Sequence, residues 1–141
     1  DIPDGGAIAI TDDRFDAVVG YLWDNPQGFA GRTVTMTAFV YRRPGWQENH
    51  FVAARMLVWC CVADAMVIGV LVDTGESRDV PKDRQWIEIE GTLKVTSQFD
   101  AGRTVMQNVP TLVDIRWRPV APPRRGEYVF PAKAVPEGFA E

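Results

Sequence analysis

The chain changes its hydrophobic period once, near residue 32. Before that point Phe15, Val18, Val19 and Leu22 recur at i, i+3, i+4 and i+7, the spacing of one amphipathic helix face. Thr11, Asp12 and Asp13 stand just ahead as N-cap candidates, and Pro26 and Gly28 mark where the helix must stop. Residues 1–10 read as an extended lead-in. From Arg32 the period is two. Val34, Met36, Ala38 and Val40 alternate with Thr33, Thr35, Thr37, Phe39 and Tyr41, which predicts a half-buried strand.

Pro44 and Gly45 turn the chain, and a second strand covers about Phe51 to Trp59. Cys60 to Ala65 suits a tight turn or a single helical turn. Val67 to Val72 is continuously apolar, as a strand buried on both faces or closing a barrel would be. Gly75 to Arg84 is a charged surface loop. Trp86 to Val95 alternates again, with Ile87, Ile89, Leu93 and Val95 on one face, and Gly91 interrupts it as a bulge or barrel bend. Asp100-Ala101-Gly102 predicts a hairpin turn. The return strand runs through Met106 and past Pro110 to Val113, Ile115 and Trp117.

One helix followed by about five short strands predicts an all-β fold. The expected form is a small OB-like antiparallel barrel with one N-terminal amphipathic helix; a β-sandwich is the alternative. The division is residues 1–30 for lead-in and helix, 31–120 for the barrel, and 121–141 for an extended Pro-rich C-terminal tail. A length of 141 residues suits one domain. The net charge of −4 argues against nonspecific nucleic-acid binding, which needs a surplus of Lys and Arg on one face. The longest apolar run, Ala65 to Val72, falls short of the roughly 18 residues of a membrane span. The first residue is Asp1, not Met, so a processed product or an excised piece is expected.

Candidate chemistry concentrates in one place. Both cysteines of the chain, Cys60 and Cys61, are adjacent, and Asp64 follows. In a helical turn Asp64 is the i+4 neighbour of Cys60 and the i+3 neighbour of Cys61, so either thiol can meet the carboxylate. Three readings fit: a soft-metal site of thiolates with Asp64 or water completing the shell, a reactive redox pair, or two small buried hydrophobes at a strand end with Asp64 in a turn. The only histidine, His50, lies at the far end of the preceding strand, roughly 30 Å away at ~3.3 Å per residue. Arg55 sits inside the apolar run FVAARMLVW and must pair, reach a rim or face solvent, for instance beside Glu88 or Glu90. Phe39, Tyr41, Trp46, Phe51 and Trp59, with Arg42 and Arg43, could form a single-strand stacking face, though packing roles suit them better. There is no Ser/His/Asp arrangement, glycine-rich phosphate loop or HExxH.

The run from Phe51 to Ala65, FVAARMLVWCCVADA, followed by Ile68-Gly69-Val70, resembles a known signature. It is the Arg-plus-CCxADA signature of a bacterial domain of unknown function, the soluble C-terminal part of two-component permease subunits (the YcgQ-like family). Phe39-Val40-Tyr41-Arg42, Trp86 to Leu93, and the Pro-rich end leading to Tyr128-Val129-Phe130 agree in order. Ala38 stands where a glycine is expected and Glu127 where a proline is. Carried over, the motif residues are Arg55, Cys60, Cys61, Ala63, Asp64 and Ala65.

The resemblance implies the extramembrane domain of a cell-membrane protein, on the outer face. It also implies a membrane anchor N-terminal to this sequence and a permease subunit as partner. The expectation is therefore a non-enzymatic accessory domain that uses Cys60, Cys61 and Asp64 to hold a soft divalent metal, zinc, with no nucleic-acid partner. Arg55 is expected to hold Asp64 or a neighbouring carboxylate in place. A thiol-redox domain, an OB-type oligonucleotide-binding module and a structural domain with core cysteines are the alternatives.

Overall fold

The computed structural model describes residues 6–99, 105–124 and 126–131. The hairpin turn expected at Asp100-Ala101-Gly102 and the tail beyond Pro131 lie outside them. Among the described residues the strands are β1 (Ile8–Ile10), β2 (Thr33–Tyr41), β3 (His50–Leu57), β4 (Met66–Asp73), β5 (Trp86–Phe99), β6 (Val105–Pro119) and β7 (Tyr128–Val129), with one α-helix, α1 (Phe15–Asp24). The sheet order is β1-β2-β5-β6-β4-β3-β7, and β2 also pairs with β3. That extra pairing closes β2-β5-β6-β4-β3 into a five-stranded barrel, the OB-like fold expected.

Alternation places most of the core as predicted, although Phe39, expected on the outer face of β2, is also buried and Val95 of β5 is only half-buried. Val34, Met36, Ala38 and Val40 of β2 are buried, as are Ile87, Ile89 and Leu93 of β5. The buried face of α1 is Phe15, Val18, Val19 and Leu22, and it joins the same apolar cluster as the barrel strands. Gly91 marks the bend: the β5–β6 register shifts between Glu90 and Thr92, and a Cβ there would lie 2.9 Å from Ile115 Cγ2. Gly69 answers a closer approach, since a Cβ would collide with the Ala53 carbonyl oxygen of β3.

Four details differ from the sequence reading. The barrel is not wholly antiparallel, because β4 and β6 close it in parallel through Leu71↔Thr111 and Val72↔Leu112. That pairing begins only at Leu71, so the start of β4 projects beyond the closed part; Val67 is exposed where a buried strand was expected, and Met66 before it is exposed too. The lead-in and the tail each contribute a short parallel strand, β1 on β2 and β7 on β3. Finally, Thr11 does not cap a backbone amide: its hydroxyl lies 2.6 Å from the Asp13 carboxylate, and a 3₁₀ turn at Asp12–Arg14 leads into α1.

Candidate functional site

Cys60 and Cys61 occupy the connection between β3 and β4, just before a 3₁₀ turn at Val62–Asp64. The turn is shaped by one side chain. The Asp64 carboxylate accepts three backbone N–H groups: Trp59 on Oδ1 at 3.0 Å, and Cys60 at 2.8 Å and Cys61 at 3.3 Å on Oδ2. The Asp64 amide in turn donates to the Cys61 carbonyl at 2.9 Å. These donors stabilise the ionised carboxylate. The Trp59 amide is the largest cause holding the Asp64 pKa below its ordinary value, against a smaller opposing effect of desolvation.

Both cysteines are free and exposed, which overturns the reading of them as core hydrophobes. The Sγ atoms and an Asp64 oxygen all lie within 4.8 Å of one another. The three predicted ligand residues are thus brought together, and thiolates favour zinc and other soft ions over calcium or magnesium. Ala63 is exposed and Ala65 half-buried, both in the turn or directly after it. His50 is at the opposite end of β3, as expected, where its Nε2 lies 3.3 Å from Asp73.

Arg55 does not hold Asp64. It is fully buried, and its Nη1 and Nη2 donate to Asp12 at 2.7 and 3.2 Å. It also donates to the Thr37 and Gly126 carbonyls, both at 3.3 Å, and lies over the rings of Trp86 and Phe15. The side chains of Glu88 and Glu90 meet Arg118 and Arg116 of β6 instead. Asp12 was legible only as a helix-start residue, because its partner is 43 positions away.

Phe39 and Phe51 take the packing roles that suited them better than a single-strand stacking face. Phe39 and Phe51 are buried, Phe39 meets Trp86 edge to face, and Arg42 is tied to Asp83 at 2.6 Å. Trp59 of that aromatic group (64%) is exposed near the cysteines together with Met66 (52%), Phe130 (47%) and Val67 (36%). Leu57 pairs with Met66, and the Val58 amide donates to the Val129 carbonyl, so this set lies at the end of the barrel that carries the cysteine turn.

Fold and site together define a small β-barrel domain that displays two adjacent thiols on a carboxylate-clamped turn. The chain belongs to the family of the DUF1980 C-terminal domain, whose model matches residues 2–131. It is 35% identical over 86 residues to the UPF0703 protein YcgQ of Bacillus subtilis (strain 168), a match covering 61% of this chain and 30% of that relative. The matched stretch therefore spans less than a third of that relative's length. No solved structure gives a significant match. Among the described residues no helix is long and apolar enough to cross a membrane.

Proposed function

We propose that this domain is the non-enzymatic, extramembrane accessory part of a membrane permease complex. In this reading it faces the outside of the cell membrane and holds a soft divalent metal ion, zinc foremost, at Cys60, Cys61 and Asp64. The observation that carries the metal reading is the convergence of two exposed thiols and a carboxylate within 4.8 Å. The donor set suits zinc, and its exposure suits an ion that is passed on rather than buried for structure. The permease reading draws on the likeness of the CCVADA run to the C-terminal part of permease subunits.

Zinc titration by calorimetry, beside a Cys60→Ser/Cys61→Ser variant, tests the metal reading. Tight binding that the variant loses is the expected result. Absence of binding in the parent chain removes the reading. The same exposed thiols also favour a redox role as second reading. Mild oxidant would then consume two thiols per chain, and prior zinc would give no protection.

A further inference from the structure

Resting on the metal reading above, but with Asp64 as support rather than ligand, we infer that the ion is shared between two copies of the chain, each supplying Cys60 and Cys61. A carboxylate offers about four lone-pair positions, and three amides of its own turn already occupy this one. Two amides fill Oδ2 and one amide leaves Oδ1 a single free lone pair, so in the shared site we assign Asp64 to positioning the two thiols rather than to the ligand set. Each chain then contributes two soft ligands, whereas a closed zinc site takes four. His50, the only histidine, is engaged with Asp73 at the other end of β3. Among the described residues no further metal-ligating side chain joins this group, so the remaining positions fall to water or to another molecule, and a second copy supplies two thiolates.

The surroundings suit a second copy. The cysteines are exposed on a connection at the barrel end, so two such turns can approach each other. Trp59, Met66, Val67 and Phe130 form an exposed apolar rim at that end, and a two-fold axis through the ion would set rim against rim. Four partly exposed side chains fall well short of the roughly 800 Å² per partner of a standard stable interface. Each copy also brings an Asp64 carboxylate and a net charge of −4, which repel without a cation between them. The pairing is therefore metal-dependent: the ion supplies what the rim lacks.

The test is zinc titration of the full chain, read by calorimetry for stoichiometry and by light scattering for mass. The expected result is a monomer in chelator, a doubled mass with zinc, and saturation at half an equivalent per chain. Cobalt in place of zinc should give the charge-transfer intensity of four thiolates, unchanged in Asp64→Asn. A Trp59→Glu/Met66→Glu variant, with both thiols intact, should stay monomeric and bind zinc at least tenfold more weakly. Saturation at one equivalent with unchanged mass would overturn the shared site and leave the metal reading standing. Failure to bind zinc at all would overturn both. Doubling that persists in chelator would overturn the metal-dependence, and a loss of cobalt intensity in folded Asp64→Asn would return Asp64 to the ligand set.

Discussion

Asp12 grips Arg55 with both carboxylate oxygens, at 2.7 and 3.2 Å, and so fastens the turn before the helix to the middle of a barrel strand. The Arg55 guanidinium is fully buried while the Asp12 side chain is 52% exposed, so the pair sits at the edge of the core. Removing one partner of a buried pair costs roughly 3–5 kcal/mol. Water can still reach the site through Asp12, which reduces that cost. Asp12→Ala should therefore destabilise the protein by about 2 kcal/mol in urea unfolding. Arg55→Met, which removes the charge together with its need for a partner, should cost less. The reverse order would mean that the hydrogen bonds to Thr37 and Gly126 matter more than the ion pair.

Asp64 has a lowered pKa in the folded chain because the Trp59, Cys60 and Cys61 amides bind its ionised form. The contribution to the turn is therefore complete above the ordinary carboxylate pKa and is lost as pH falls through the folded value. The amide resonances of Trp59, Cys60 and Cys61 should move together on acidification, with one midpoint below that of a free aspartate. Three separate midpoints, or none, would argue against the clamp.

Both thiols should react with a disulfide reagent in the native protein at rates near those of the unfolded chain, since both are exposed. A native-state count below two accessible thiols, rising to two on unfolding, would contradict the exposed turn.

Gly69→Ala drives a methyl group into the Ala53 carbonyl across the β3–β4 ladder. Overpacking of this kind costs typically ~1–3 kcal/mol, and a lower Tm should follow. Gly20→Ala is the control: it lies on an exposed part of α1 with open space around it, so helix propensity should make it neutral or slightly stabilising.

The parts of the fold that repeat a period were open to reading. The α1 face from Phe15 to Leu22, the alternation of β2 and the Gly91 bend all follow from local pattern. The short strands β1 and β7 were not legible, because two or three residues carry no period and exist as strands only through their partners. At the site, the company of Cys60, Cys61 and Asp64 could be read from spacing, but their exposure could not. Whether a turn faces inward depends on where the barrel closes, and β6 joins β4 only from Leu71. The Arg55 partner was hidden for a related reason: an ion pair across 43 residues leaves no trace in local sequence.

The Asp64 clamp has a consequence for how the turn could have been inherited. Its three amide bonds begin and end within residues 59–64, so none draws on the barrel beneath. The hexapeptide is in that sense a portable cassette. Grafted between two antiparallel strands of an unrelated scaffold, it should carry its paired thiols with it.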